Sequence, residues 1–264
     1  IEMRFLVKAF VAFCVCATGL TGVYGSDNED NLGQDATRPR SRLDLRIQYQ
    51  QVESDVELVK LTARIDQPIT IGNGWKLNTR VSQGFFFSDL PSSDNVDRET
   101  EEGFGDLLTQ AFFIPPSDSN VSFGFGLRAI FPTATQDQLG SGKYSLVPIG
   151  VVLHFPTWLA SGSFIGVGIR NQVGFGGDKD RKDINELQIA PIVNIRLPRK
   201  SFVSFFPTIR RDWKNQNDVF VPFDLAFGRA IGRGKIGSLR LQVPLIDKQN
   251  RYDWTLEARV TFLF

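Results

Sequence analysis

The sequence has few of the residue types on which most metal sites and nucleophilic active sites are built. Its 264 residues include two cysteines and one histidine. The cysteines, Cys14 and Cys16, lie near the start of the chain, and the histidine is His154. Beyond residue 16 these counts exclude a disulfide, a cysteine nucleophile and a zinc site made of Cys and His ligands. We therefore predict no metal site and no cofactor.

An excess of charge of one sign and long apolar runs are also absent. The chain has 30 basic and 29 acidic side chains, a balance that does not suit binding to nucleic acid. After residue 25 no apolar run approaches the ~18 residues that a membrane-spanning helix needs. These two observations exclude nucleic acid as a partner and a helical membrane domain after residue 25.

Residues 1–25 have the layout of a secretory signal peptide. Arg4 and Lys8 precede an apolar run, and small residues surround Gly25, after which we expect cleavage. Cleavage would remove both cysteines and leave equal numbers of acidic and basic side chains. We predict an exported protein in which residues 26–41 form a flexible polar segment ahead of the folded domain.

Phenylalanine and glycine are abundant, at 23 and 24 residues. An exported chain of this composition without a spanning helix is either a soluble β-protein or an outer-membrane β-barrel. The stretch 254–264, WTLEARVTFLF, favours the barrel because every second residue from Trp254 to Phe264 is apolar, while Glu257 and Arg259 lie on the other face. In a barrel the apolar face contacts outer-membrane lipids and the polar face lines the lumen. We expect the barrel assembly machinery to recognise this C-terminal strand by its end at Phe264.

The same two-residue alternation recurs along the chain. It predicts an all-β fold, a transmembrane antiparallel up-and-down barrel over 42–264. Counting a first strand at 42–51, we predict twelve strands, and an even number places both termini on the periplasmic side of the outer membrane. Besides 42–51, the strands for which the sequence gives bounds are 56–71, 104–115, 123–131, 145–155, 164–175, 184–197, 219–231, 237–246 and 254–264. Tight turns that alternate with longer loops are expected at 72–74, 115–120, 156–163, 198–200 and 232–235.

The inward face of the predicted strands carries more basic than acidic side chains. By strand parity the basic ones are Lys60, Arg64, Lys76, Arg80, Arg128, Arg170, Arg196, Arg210, Arg240 and Arg259. The acidic ones are Asp66, Asp106, Asp224 and Glu257. One interpretation is a set of cross-strand ion pairs that fills a narrow lumen, because buried charges need partners. The other is a basic-lined channel that favours anionic solutes, because rings of charge select the sign of what passes.

The stretch 132–145, PTATQDQLGSGKYS, contains GSGK but does not fit a phosphate-binding loop. Asp137 stands where such a loop needs Gly, Tyr144 stands where it needs Ser or Thr, and a strand follows where a helix is required. We predict instead a turn-rich extracellular loop that folds back over the pore mouth. Its motif consists of Leu139, Gly140, Ser141, Gly142 and Lys143.

His154 is the only imidazole available to a catalytic site. Barrel enzymes that hydrolyse acyl chains use a Ser and a His on the lipid-facing surface near the outer rim. His154 ends its predicted strand at the periplasmic rim, and by parity it groups with Gly150 and Val152, which we assign to the inward face. Position and direction both disagree with a lipid-acting enzyme, so we predict a protein that is not an enzyme.

Two stretches, GFGDLLTQAFFIP at 103–115 and FGFGLRAIFPTATQDQLGSGKYSLVP at 123–148, resemble a known family. It is the outer-membrane family associated with the meta-cleavage pathway of phenol degradation, some members of which carry the misleading label "neuromedin U". The matching positions are Gly103, Gly105, Asp106, Leu107, 131–135 and 139–143. The resemblance, which spans about residues 60–264, implies a Gram-negative outer-membrane barrel that takes up small hydrophobic or aromatic compounds. It brings no catalytic residues.

Three functions are open at this point. The first is a passive channel or uptake protein for small solutes, which are hydrophobic, aromatic or anionic. The second is a non-conducting barrel with an ion-pair-filled lumen that serves as a structural or surface-interaction protein. The third and most remote is a lipid-acting barrel enzyme.

Overall fold

The computed structural model describes residues 32–53, 56–89 and 99–264. The predicted signal peptide at 1–25 lies outside these ranges and stays a prediction. The strands are β1 (Arg42–Glu53), β2 (Val56–Ile71), β3 (Trp75–Ser88), β4 (Glu101–Phe104), β5 (Leu107–Ile114), β6 (Val121–Phe131), β7 (Lys143–His154), β8 (Phe164–Gly177), β9 (Asn185–Leu197), β10 (Ser201–Phe205), β11 (Ile209–Asp212), β12 (Val219–Gly232), β13 (Lys235–Asp247) and β14 (Trp254–Leu263). In the described part of the chain, no helix has the length and apolar character that crossing a bilayer requires.

The strands form one closed antiparallel barrel. β1 pairs with β2 and also with β14, which joins the first strand to the last. β4 and β5 are two parts of one barrel strand, since both pair with β3. β10 and β11 likewise both pair with β9 and with β12. The barrel therefore has twelve strands, and the predicted fold class and strand number are confirmed.

Local chemistry accounts for the two interrupted strands. Pro207 lies between β10 and β11 and has no N–H to donate to a ladder. Between β4 and β5, two threonines of the following loop replace a neighbouring strand. The Leu107 N–H donates to Thr133 Oγ1 at 2.9 Å, and the Phe104 N–H donates to Thr135 Oγ1 at 3.0 Å. The PTAT part of the loop thus completes the hydrogen bonding of this strand.

The two ends of the barrel differ in their connections. The start of β1 and the end of β14 lie at one end, together with the five tight turns that the sequence predicts, and we call it the terminal end. The opposite end, which we call the loop end, includes the connections 132–142, 178–184, 213–218 and 248–253, each of six residues or more. At the terminal end three of the five turns have three residues or fewer, whereas the connection between β7 and β8 is longer. Shorter turns at one end and longer loops at the other are typical of outer-membrane barrels.

The outward face of the barrel is apolar and the inward face is polar, the reverse of a water-soluble barrel. Ile65 and Asp66 are neighbours on β2, and their side chains are 52% and 1% exposed. Phe125 on β6 and Leu239 on β13 repeat this pattern as large apolar side chains on the outer surface. A continuous apolar surface around a closed barrel is the surface that lipid covers.

Glycines on the inward face leave room for aromatic rings and for close strand contact. The Phe112 ring lies against Gly124, where an added Cβ would overlap it. Gly126 is tighter still, because a Cβ there would overlap the carbonyl oxygen of Ala111 on the neighbouring strand. The GFG stretch at 124–126 therefore serves the packing of the barrel wall.

The phase of β7 differs from the one we predicted. Its inward residues are odd-numbered, and Val152 is 47% exposed on the outer face. His154 lies at the terminal end but points outward, where its Nδ1 is 3.1 Å from the carbonyl oxygen of Asn120. The assignment of Gly150, Val152 and His154 to the inward face is thus wrong. Apolar residues occupy both faces of this strand, so the alternation cannot set its phase.

Replacing Gly126 with alanine should destabilise the barrel by about 1–3 kcal/mol, because the new Cβ forces β5 and β6 apart. The measurement is the urea midpoint of unfolding in detergent micelles. Gly150→Ala is the matched control, since a Cβ there meets only Ile169 Cγ2, at 3.6 Å. Equal midpoints for the two variants would contradict the close approach at Gly126.

Candidate functional site: the barrel lumen

The predicted lumen arginines lie on inward strand positions, whereas Asp106 lies between β4 and β5 at the loop end. The arginines are half-buried; they are Arg64, Arg80, Arg128, Arg170, Arg196, Arg210, Arg240 and Arg259. The carboxylates of Asp224 and Glu257 are buried among them. Their contacts divide the arginines into two ion-pair clusters and a group without a carboxylate partner.

Asp66 is the centre of the first cluster, which we define as Arg42, Asp44, Arg46, Arg64, Asp66 and Arg80. Its Oδ2 accepts hydrogen bonds from Nε of Arg42 at 2.9 Å and from Nε of Arg64 at 2.6 Å. Its Oδ1 accepts from Nε of Arg80 at 2.7 Å and from the Asn78 amide at 3.2 Å. One buried carboxylate thus binds three guanidinium groups, and the first cluster keeps an excess of positive charge.

Asp44 is the second carboxylate of the first cluster. It lies 3.1 Å from Nη2 of Arg46 and 3.7 Å from Nη1 of Arg64. The Thr261 hydroxyl donates to it across the contact between β1 and β14. Glu257 adds a longer contact, 4.0 Å from Nη1 of Arg46. The ion pairs therefore continue across the place where the barrel closes.

The second cluster, which we define as Glu186, Arg210, Asp224, Arg240 and Arg251, lies on β9 and β11–β13 and on the loop 248–253. Arg240 donates to both oxygens of Asp224, with Nε at 2.7 Å from Oδ1. Glu186 accepts from Nη1 of Arg210 at 2.7 Å and also from Arg251. Bidentate and charge-assisted contacts of this kind fix arginine side chains in place.

Arg128, Arg170 and Arg259 form no ion pair with any carboxylate of the described ranges. Arg128 donates to Oε1 of Gln110 at 3.1 Å, and Arg170 donates to Oε1 of Gln188. Arg259 donates to a serine hydroxyl at 3.2 Å. Nε of Arg128 is buried without a hydrogen-bond partner. Neutral acceptors and carboxylates beyond ion-pair distance, such as Asp44 and Glu257 near Arg259, leave these three positive charges only partly balanced by the protein.

The lumen encloses a cavity of about 460 Å³. Its lining includes two carboxylates, Asp35 and Asp66, whereas Asp44 and Asp224 do not reach it. The nine arginines of the lining are Arg40, Arg42, Arg46, Arg64, Arg80, Arg128, Arg170, Arg240 and Arg259. The surface of the cavity is therefore strongly basic.

Residues 32–41 lie inside the barrel at its terminal end. Arg38 places its guanidinium 4.2 Å from the centre of the Phe155 ring. Leu32 joins a buried apolar cluster with Phe202, Ile236 and Leu263. The segment thus covers the terminal mouth of the cavity, and the predicted leader 26–41 contributes at least this part to the lumen.

The predicted loop motif at 139–143 folds against the interrupted strand. The Asp106 carboxylate accepts from the Ser141 N–H at 2.8 Å and from the Ser141 hydroxyl at 2.7 Å, and Leu139 is buried. Lys143 Nζ lies 3.6 Å from Oδ1 of Asp183 in the next loop. Asp106 therefore anchors this loop at the loop end.

Three other predicted basic residues lie apart from both clusters. Arg196 lines a cavity of about 40 Å³ beside the N-terminal segment. Lys60 places Nζ 4.8 Å from the centre of the Phe86 ring. Lys76 is exposed at the terminal end. These residues add charge to the inner surface of the barrel.

Five members of the two clusters are absent from the predicted lumen residues: Arg42, Asp44, Arg46, Glu186 and Arg251. Asp44 has the parity of Arg42 and Arg46 on the first strand, and Glu186 has the parity of Gln188, so strand alternation could have identified both. Arg251 lies in a loop, which has no such period. Its contact with Glu186 is set by the fold of the loop over the end of the barrel.

No protein-family model matches the sequence, and no curated protein matches it. Solved structures do match. The COG4313 outer membrane channel from Pseudomonas putida F1 superposes with a TM-score of 0.70 at 12% identity, and the match covers 92% of this chain and 100% of that one. This chain therefore shares its fold with that channel. At this level of identity the likeness shows the fold alone.

Two further structures are less similar. The NanC porin has a TM-score of 0.52 at 12% identity, with 84% of this chain and 98% of that one covered. Outer membrane phospholipase A from Escherichia coli has a TM-score of 0.51 at 12% identity, with 90% and 96% covered. The architecture is thus shared by channels and by an enzyme, and this chain is more similar to the channel.

Replacing Asp66 with asparagine should destabilise the barrel by about 3–5 kcal/mol, because three arginines lose their common counter-charge. The temperature at which the folded, fast-migrating gel band disappears measures the effect. Asp118→Asn, in an exposed turn, makes the same chemical change outside the lumen and should leave this temperature unchanged. Similar temperatures for both variants would argue against Asp66 as the centre of the cluster.

Asp35 should make the packing of residues 32–41 depend on pH. Burial raises the pKa of its carboxyl above the usual 3.8, and hydrogen bonds from Thr37 oppose this only in part. A carboxyl with a higher pKa in the packed state favours packing when it is protonated. Packing should therefore be tightest below pH 3.8 and weaken as the pH rises through the raised pKa.

A spin label at the exposed position of Ala36→Cys would report this change as mobility that increases from acidic to neutral pH. Asp35→Asn keeps the oxygen that accepts from Thr37 and cannot ionise, so it should abolish the change. If the label responds to pH equally in both proteins, another group controls the packing.

Proposed function

We propose that this chain is a channel of the bacterial outer membrane that lets small solutes pass and favours anions. The observation that carries the proposal is the cavity of about 460 Å³, whose lining holds nine arginines and two carboxylates. A pore lined by charge of one sign concentrates ions of the opposite sign. The likeness in fold to the COG4313 outer membrane channel supports the same class of function.

The location and orientation belong to this proposal. The terminal end would face the periplasm, since the twelve strands bring both chain ends to the same side. The predicted signal peptide would direct export, and the strand that ends at Phe264 would be recognised by the barrel assembly machinery. The resemblance to the phenol-degradation family adds small hydrophobic or aromatic compounds as candidate solutes.

Arg128, Arg170 and Arg259 are the residues that we assign to anion selection. The other lining arginines of the two clusters share their charge with Asp44, Asp66 or Asp224, which reduces their field in the cavity. The three assigned residues have neutral hydrogen-bond acceptors, and carboxylates act on them only from beyond ion-pair distance: Asp66 on Arg128, Glu186 on Arg170, and Asp44 and Glu257 on Arg259. A permeating anion would therefore meet its strongest attraction beside them.

A specific observation favours the non-conducting barrel as a second candidate. Residues 32–41 cover the terminal mouth of the cavity, and ion pairs occupy two parts of the lumen wall.

In the enzyme hypothesis, His154 would need a serine on the outer surface. Its hydrogen bond goes to the Asn120 carbonyl at the terminal end.

The test is the reversal potential of the purified protein in a planar bilayer across a gradient of potassium chloride. The unaltered protein should prefer chloride. Arg128→Gln combined with Arg170→Gln should lower the chloride-to-potassium permeability ratio at least about fivefold, because two charges ~7 Å away in water contribute about 1 kcal/mol to the attraction of chloride alone. The matched control combines Arg211→Gln and Arg229→Gln, which remove two exposed, outward-facing arginines.

The outcomes separate the candidates. A control that shifts the ratio as much as the lumen variant would locate selectivity outside the cavity. Conductance without a preference for chloride would reject the basic channel. A membrane that stays silent with correctly folded protein would support the non-conducting barrel.

A further inference from the structure

The basic cavity also has an apolar wall. Inward residues of β5 and β7–β9, with one residue of the break before β11, form it; they are Phe112, Ile149, Val151, Phe164, Ile192 and Phe206. Few charged side chains interrupt this part of the lining. The cavity therefore presents a cationic surface and a hydrocarbon surface to the same space, a combination that purely inorganic anions do not need.

Arg128 and Arg170 border this wall on both sides of β7. In the strand register, Arg128 pairs with Val147 and Arg170 pairs with Ile149. β6 and β8 lie two strand spacings apart, ~9.6 Å, a gap across which two arginine side chains can share one oxyanion. Both guanidinium groups are held by glutamine oxygens, so they are oriented without being neutralised.

The apolar wall continues from these arginines toward the terminal end. Val151 follows Ile149 on the inward face of β7, two residues or ~6.6 Å further along the strand. Gly168 leaves a shallow notch between Val151 and Ile192, since a Cβ there would lie 3.6 Å from Val151 Cγ2 and 3.7 Å from Ile192 Cδ1. Arg170 and Gly168 are two residues or ~6.6 Å apart along β8, a spacing similar to the length of a carboxylate attached to one aromatic ring.

We propose that the lumen contains a binding site for small organic monoanions with a flat apolar body, of which an aromatic carboxylate is the type. The carboxylate binds between Arg128 and Arg170, and the ring lies in the notch between Val151 and Ile192. This inference rests on the proposed channel and adds its substrate class. Acetate has the charge without the ring, and a neutral aromatic amide has the ring without the charge.

The experiment measures inhibition of the chloride current in planar bilayers by benzoate, acetate and benzamide. Benzoate should reach half-inhibition at a concentration at least about tenfold below that of acetate, because its ring leaves water for the apolar wall. Benzamide should not inhibit at the concentration at which benzoate does. Equal potency of benzoate and acetate would overturn the site.

Two double variants test the apolar wall itself. Val151→Thr with Ile192→Thr should raise the half-inhibiting concentration of benzoate about fivefold relative to that of acetate. Val152→Thr with Val167→Thr is the matched control, because these two residues pair across β7 and β8 on the outer face. A control that weakens benzoate as much as the inward variant would overturn the assignment of the ring.

A calorimetric titration of the protein in detergent with benzoate measures binding to the site independently of conductance. Protein-free micelles serve as the reference. Benzoate binding that Arg128→Gln and Arg170→Gln abolish, in a barrel that does not conduct, would reject the channel and support the site. Chloride-selective conductance together with no benzoate binding would reject the site and leave the channel. Gel mobility of the unheated samples confirms that each variant is folded.

Discussion

An arginine on the inward side of a barrel strand keeps its charge and cannot turn away, because the two-residue period of the strand fixes its direction. Each such charge has to be met by a carboxylate, by a neutral acceptor or by water. Asp66 forms ion pairs with three such arginines, and Asp224 binds Arg240 through both carboxylate oxygens. At Arg128 and Arg170 only glutamine oxygens are present. The lumen therefore contains both a rigid ion-paired wall and an uncompensated basic cavity.

The two interpretations left open by the sequence consequently describe different parts of one lumen. Ion pairs on β1–β3 and on β12–β13 hold the wall together, and the arginines of β6 and β8 face the space between them. Glycine shapes that space. On β6, Gly124 lets the Phe112 ring lie flat against the wall, and on β8, Gly168 separates Val151 from Ile192. The volume that remains is bounded by charge on one part of its surface and by hydrocarbon on another.

The two-residue period predicted the barrel, its twelve strands and the inward arginines, because this pattern is local and recurs on nearly every strand. It could not predict which charges meet. Asp44 and Thr261 are far apart in sequence, and their contact depends on how the first and last strands align. The period also cannot assign inward and outward residues on β7, where both faces are apolar. It gives no information on residues 32–41, which show no two-residue alternation. These regions supply the apolar wall of the cavity and the cover of its terminal mouth.

The contact between Thr261 and Asp44 also bears on how the barrel assembles. It joins residues 217 positions apart, whereas Asp66 and Arg80 are 14 positions apart on one hairpin. The hairpin can neutralise its charges as soon as it forms, while Asp44 gains its hydroxyl partner only when the last strand reaches the first. Residues 32–41 directly precede β1, so the pairing of β1 with β14 also fixes the point from which this segment enters the lumen. The contact that closes the barrel wall therefore also holds the base of the cover over its terminal mouth.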